Sequence, residues 1–152
     1  MGNILKNADY EKVLARIEAL SPENERKWGK MTVYQMLAHV ADQLRGALFM
    51  KSVEEKSNFF SRNLLKRLVL AGMEAPKGKV TTAPEFAAEF SGTPPTEFQK
   101  DRETLKQLLS DFRAKQADFE WQNHPSFGRL TKNQWGKLVY SHLNHHLKQF
   151  GI

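Results

Sequence analysis

Two stretches of the chain open on the same pattern, Thr-x-x-Gln: TVYQMLAHVADQLRGALF from Thr32 and TKNQWGKLVYSHLNHHLKQ from Thr131. In such a pattern the threonine hydroxyl accepts from a free backbone N–H of the first helical turn. The glutamine side chain reaches back to the threonine N–H, so the pair starts a helix. Behind the first pattern Val33, Leu37, Val40, Leu44 and Leu48 form an apolar stripe at helical spacing. No segment alternates apolar and polar residues in the manner of a strand. A chain of this kind finds its core by packing helix on helix.

Two more helices follow from the same periodicity. One runs from about Asp9 to Leu20, with Val13, Leu14, Ile17 and Leu20 on one face. The other spans roughly Thr96 to Gln116, with Phe98, Leu105, Leu108, Leu109 and Phe112 facing inward. SPEN, from Ser21, supplies a capping serine and a proline suited to a first helical position, which predicts a short helical turn. NFFSRNLLKRLVLAG reads as helix with a broad apolar face. MEAPKGKVTTAPEF, rich in Gly, Pro and Thr, reads as a long surface crossing, and HPSFG as a turn. The expected fold is all-α: one domain over residues 1–152, a four-helix bundle with additional short helical turns and a long connection.

Composition narrows the chemistry. The chain has no cysteine, so disulfides, thiolate ligands and cysteine nucleophiles are excluded, and any metal needs nitrogen or oxygen ligands. The N-terminus MGNILKNADYEKVL lacks the apolar core and cleavage site of a secretory signal, so a cytoplasmic location is expected. LVLAGM, the most apolar run, is far shorter than the roughly 18–20 residues of a membrane span, and no membrane partner is expected. The net charge of +6 raises nucleic acid as a partner. The basic residues are dispersed, without an aromatic-flanked basic motif or zinc-finger spacing, so a solvated surface with a positive bias is the better reading.

The histidines carry the functional signal. His142, His145 and His146 fall within the last eleven of 152 residues. At about 100° per residue, with His142 at zero, Trp135 lies near 20°, His146 near 40°, Val139 near 60° and Gln149 near −20°. His145 falls near −60°, at the margin of this stripe. His142 and His146 thus point with the core, and an i,i+4 pair can bring two ring nitrogens to one ion. Two imidazoles hold a metal poorly, so a third ligand from another helix is required. His39 is the candidate, on the flank of the stripe beside Gln35, Asp42 and Gln43. A partly buried histidine bonded to a neighbour is the competing reading of His39, and helix capping or polar packing that of the terminal pair. His124, before Pro125, belongs to a turn and could line a pocket mouth.

WGKMTVYQMLAHVAD, HPSFGRLTKNQW and HLNHHLKQFG, in this order, resemble the DinB/YfiT-like superfamily of bacterial metal-binding proteins, in a branch classed as a domain of unknown function. The resemblance covers the chain from about Trp28 to its end. It implies a four-helix bundle holding a divalent ion, nickel or zinc, between one histidine of the second helix and an H-x-x-x-H pair of the last. Carried over by position, the ligands are His39, His142 and His146. The family's R-G-Q after the last ligand is here Leu147, Lys148 and Gln149, which keeps only the glutamine. His145 could replace His146 if the helix tightens at its end.

The resemblance further implies thiol-dependent transferase chemistry, with a low-molecular-weight thiol as co-substrate, and an association into homodimers. A hydrolase-like metalloenzyme acting on a small molecule is the parallel expectation. Around the ion, Gln35, Asp42 and Gln43 could orient His39 or a water, and Gln149 could do the same for the last helix. Asp42 is the nearest carboxylate in sequence and the candidate general base. Trp135 and Phe127 are candidate pocket walls. Two other readings compete: a non-catalytic metal-binding or stress-response protein, and a basic interaction module whose histidines are incidental.

Overall fold

The computed structural model describes residues 1–74, 76, 86, 91–116 and 118–152. They form five helices: α1 (Asn7–Glu18), α2 (Val33–Ala47), α3 (Lys66–Ala71), α4 (Phe98–Ala114) and α5 (Lys132–Gln149). A π-helical turn, Ser61–Leu65, runs directly into α3. Among the described residues there is no strand, only an isolated antiparallel bridge between His124 and Gly128. The all-α bundle expected from periodicity is what forms.

Both capping boxes are made. Thr32 Oγ1 accepts from the Gln35 N–H at 3.2 Å while Gln35 Oε1 accepts from the Thr32 N–H at 2.9 Å. Thr131 and Gln134 repeat the exchange at 3.3 and 3.0 Å. Around the bundle α2 touches α4 and α5, and α1 touches the same two helices. α1 and α2 therefore lie diagonally opposite, and α5 has α2 along one flank. The core between them is apolar: Val13 and Ile17 from α1, Met36, Leu37 and Leu44 from α2, Leu109 and Phe112 from α4, Val139 and Leu143 from α5. Ile4 lies in the same core, and its N–H bonds the Gly136 carbonyl of α5 at 3.1 Å. Gly136 permits that approach, since a Cβ there would stand 2.3 Å from Asn3 Oδ1.

Two local expectations change. SPEN is a turn, not a turn of helix: Asn24 Oδ1 accepts from the Ser21 N–H at 2.7 Å, so the asparagine closes the loop and the serine caps nothing. The third apolar segment is helical, but α3 buries none of its residues, and its broad apolar face is largely outward. The expected surface crossing over 73–86 falls, at residues 75 and 77–85, outside the described residues.

Candidate metal centre

α2 is buried along most of its length, and its buried residues include three polar ones, His39, Asp42 and Gln43. His39 and Gln43 are one turn apart and share the face toward α5. From α5, His142 and His146 come up one turn apart, and the three imidazole rings meet. Ring centroids are 4.8 Å apart for His39–His142 and His39–His146, and 4.6 Å for His142–His146. His142 Nε2 stands 2.9 Å from His39 Nε2 and 3.1 Å from His146 Nε2.

The other ring nitrogens decide what those Nε2 atoms are. His39 Nδ1 is 2.9 Å from the Phe86 carbonyl, which can only accept, so His39 Nδ1 carries the proton. Gln149 Nε2 donates to the Trp28 carbonyl at 2.7 Å, which leaves Gln149 Oε1 as the acceptor for His146 Nδ1–H at 2.9 Å. His142 Nδ1 is 2.9 Å from Gln43 Oε1, which in this orientation accepts its N–H. A neutral imidazole has one N–H, so with Nδ1 protonated each Nε2 is a bare lone pair. His142 Nε2 then faces two other acceptors, His39 Nε2 and His146 Nε2, at hydrogen-bond distance with no proton between them. A bound cation would reconcile that arrangement.

Protonation does not supply it. Burial pushes the His39 ring below its ordinary value, the Phe86 bond and Asp42 only partly offsetting it. Burial and the neighbouring His39 bring His146 down to about 3, against the opposing Gln149 bond. Burial, with His146 and His39 adding to it, holds His142 well below the usual range. All three are neutral near pH 7 and available as ligands. A transition-metal ion lies about 2.0–2.1 Å from an imidazole nitrogen, which suits nitrogens roughly 3–3.4 Å apart. The His39–His142–His146 cluster, with its potential ligand atoms all within 4.8 Å of one another, could hold such an ion.

The remaining expected site residues separate. Gln149 and Gln43 both bond a ring of the cluster, but Gln43 serves His142 and not His39. Gln35 is committed to the α2 cap and has no bond to His39. His145 lies one position off the cluster, edge-on to His146 at 5.1 Å and to Trp28 at 5.9 Å. Trp135 is 2% exposed and packs against His124, which stacks on Phe127. His124 Nδ1 accepts from the Ser126 N–H inside the HPSFG turn, and the ring joins the aromatic packing.

Asp42 has a different occupation. Its side chain is fully buried, and its oxygens accept from Arg45 Nη1, Lys51 Nζ, the Thr93 N–H and Thr93 Oγ1, all at 2.7–2.8 Å. Burial alone would raise this carboxyl; the bonds from Lys51, Thr93 and Arg45 together outweigh it and hold it below the ordinary range. A carboxylate so placed fastens the 91–96 segment to α2 and is a poor proton acceptor.

Sequence reasoning missed one member of the site, the Phe86 carbonyl. A backbone acceptor leaves no mark in residue type. Among the described residues, a cleft of about 770 Å³ between the α1–α2 connection and Pro95–Thr96 and a smaller one beside Ala38 and Ala41 are not lined by the cluster histidines.

Fold and cluster together define an all-helical bundle with a buried three-histidine group able to take a metal ion. The chain belongs to the family described as Protein of unknown function (DUF1569), whose model matches residues 3–151. No curated protein and no solved structure matched the chain.

Proposed function

We propose that this chain is a divalent-metal-binding protein of the DinB/YfiT-like kind, with His39, His142 and His146 as ligands, and that it acts on a small molecule. The observation that carries the metal site is the ring arrangement: His39 and His146 Nδ1–H tied to Phe86 O and Gln149 Oε1, His142 Nδ1 set against Gln43 Oε1, and three Nε2 atoms turned inward. Imidazole ligands suit nickel and zinc, the two ions we favour.

The chain's own residues set the charge of the site. All three Nδ1 partners are neutral amide or backbone oxygens, and the nearby Asp42 is already matched by Arg45 and Lys51. The protein thus places no net negative charge on the ligand set, and a bound divalent ion would keep its charge to polarise an anionic sulfur or oxygen group of the substrate. That supports a thiol-dependent transferase, or a hydrolase-like reaction, with a low-molecular-weight thiol as the favoured co-substrate. Gln43 and Gln149 hold the rings in register, while Trp135 and Phe127 pack with His124 at the other end of α5.

A second reading has an observation of its own. His39 and His146 are each only 7% exposed, which suits a metal-binding protein without turnover.

The first experiment is calorimetric titration of chelator-stripped protein with nickel and with zinc, beside His146→Ala and His145→Ala. One ion per chain, lost in His146→Ala and kept in His145→Ala, is the expected result. Loss in His145→Ala alone would move the ligand to His145, and no stoichiometric binding to the wild type would sink the metal site. Cobalt-loaded protein then separates the two readings: a sulfur-to-metal charge-transfer band on adding a small thiol supports the transferase, and its absence supports the non-catalytic protein.

A further inference from the structure

Phe86 meets α2 at two places. Its carbonyl is 2.9 Å from His39 Nδ1, and its ring lies over Gly46, two turns further along the same face of the helix. A Cβ built on Gly46 would stand 3.2 Å from Phe86 Cζ, 3.3 Å from Phe86 Cε1 and 3.1 Å from Val53 Cγ2. Those distances are shorter than ordinary van der Waals contact, so the ring and Val53 take up the space that any other residue at position 46 would fill. Phe86 is only 8% exposed yet stands outside the main core of the described residues. Its burial is therefore local, with Gly46 and Val53 among its walls.

Glycine disfavours a helix interior more than any residue but proline. Gly46 lies inside α2 and does not have a positive φ, whereas the position that does, three residues on, is filled by Phe49. Backbone freedom therefore does not account for glycine at position 46; the missing Cβ does. The far wall of the niche is fixed as well. The Gln122 N–H donates to the Ala47 carbonyl at 3.4 Å, and Gln122 Nε2 donates to the Val53 carbonyl at 3.2 Å, which ties Val53 to the end of α2. Ring and carbonyl belong to one residue, so a seat that holds the Phe86 ring also limits where its carbonyl can go.

We propose that Gly46 and Phe86 are positioning residues for His39: the seated ring holds the Phe86 carbonyl on the His39 Nδ1–H, and that bond keeps His39 Nε2 a bare lone pair for the ion. Gly46 has no side chain to offer the cluster and acts through Phe86. When Phe86 is displaced, His39 Nδ1 loses its acceptor and the other tautomer gains one, since Nε2–H can donate to His142 Nε2, 2.9 Å away. In that tautomer Nε2 has no lone pair to give an ion. The consequence for metal affinity rests on the proposed metal site; the tautomer itself rests on the hydrogen-bond geometry alone.

The test is Gly46→Ala, Phe86→Leu and the double variant in the full chain, read by nitrogen NMR of the histidine rings in metal-free protein near neutral pH and by zinc titration. The wild type is expected to hold His39 as the Nδ1–H tautomer. The added methyl of Gly46→Ala and the underfilled niche of Phe86→Leu should each shift His39 toward Nε2–H and weaken zinc binding about tenfold, while His146, held by Gln149, keeps its tautomer. In the double variant the methyl fills part of the space that leucine leaves, so tautomer and affinity should return toward wild type. A Gly46→Ala protein with a higher melting temperature and an unchanged His39 tautomer would show a glycine that matters to the helix alone, and overturns the proposal. A double variant in which the two losses compound overturns it too. Zinc binding absent from the wild type overturns the metal reading instead, and the tautomers of the metal-free proteins still decide the role of Gly46 and Phe86.

Discussion

Gln149 links the first loop of the bundle to His146: its amide nitrogen donates to the Trp28 carbonyl at 2.7 Å, and its amide oxygen takes the His146 Nδ1 proton at 2.9 Å. Because the carbonyl can only accept, the amide cannot turn over, and the tautomer of His146 is fixed from a residue outside α5. Replacing Gln149 by leucine removes both bonds and leaves a carbonyl and an imidazole N–H without partners. We expect the affinity for nickel or zinc to fall by about 10–100-fold with the stoichiometry kept. The metal-free protein should lose about 1–3 kcal/mol of stability. Titration calorimetry and urea unfolding read the two effects separately; unchanged affinity would show that Gln149 serves the fold alone.

Acid should unfold this protein early. His39, His142 and His146 are depressed chiefly by burial, and burial brings His124 down to about 3 as well. The unfolded chain takes up protons on these rings as pH falls through about 6.5, while the folded chain refuses them. Their contribution is therefore fully present above about 6.5 and is lost as the pH falls toward the depressed values, at up to about 1.4 kcal/mol per unit for each ring. Urea midpoints measured from pH 7.5 down to 4.5 on metal-free protein should fall steadily, and saturating zinc should move the onset to lower pH. A flat profile over that range would contradict the neutral, buried state of the rings.

The helices were legible because their caps and stripes are local. Thr32–Gln35 and Thr131–Gln134 mark the α2 and α5 starts in residue type alone, and the 100° arithmetic set His146 with Trp135 and left His145 at the margin. What could not be read depends on tertiary contacts. Gln35 and Gln43 both lie near His39 along the sequence, but the first is consumed by its cap and the second is turned to α5. The Phe86 carbonyl carries no signature, and the exposure of Phe60, Leu64 and Leu68 reverses the rule that an apolar stripe faces inward. The π-helical turn at Ser61–Leu65 has no counterpart in the periodicity either.

Asp42 separates a positioning role from a chemical one. Asp42→Asn keeps the size but removes the charge that Arg45 and Lys51 share, in a side chain with no exposure. Both cations are only partly buried and can turn to water, which limits the loss to about 1–3 kcal/mol. We expect a lower urea midpoint and faster proteolysis around residues 91–96, with metal affinity within about threefold of wild type, since no cluster ring bonds Asp42. If stability holds while a metal-dependent activity disappears, Asp42 is the base that its place in the sequence suggested.

The end of α2 offers a gain. The Phe49 N–H bonds the Gly46 carbonyl at 3.1 Å and the Met50 N–H bonds the Arg45 carbonyl at 2.8 Å, the paired closure that needs a left-handed residue just past the helix. α5 ends in the same way with Gly151 at φ 81°, whereas α2 places Phe49 there at φ 59°. The aromatic side chain is 61% exposed, so little packing compensates for the unfavourable backbone. Phe49→Gly should stabilise the protein by about 0.5–1 kcal/mol, and Phe49→Asn by less, while Phe49→Val, β-branched at a positive φ, should destabilise it. Thermal melts of the three variants rank the outcomes. A glycine variant less stable than wild type would mean that the Phe49 ring makes contacts worth more than the backbone relief.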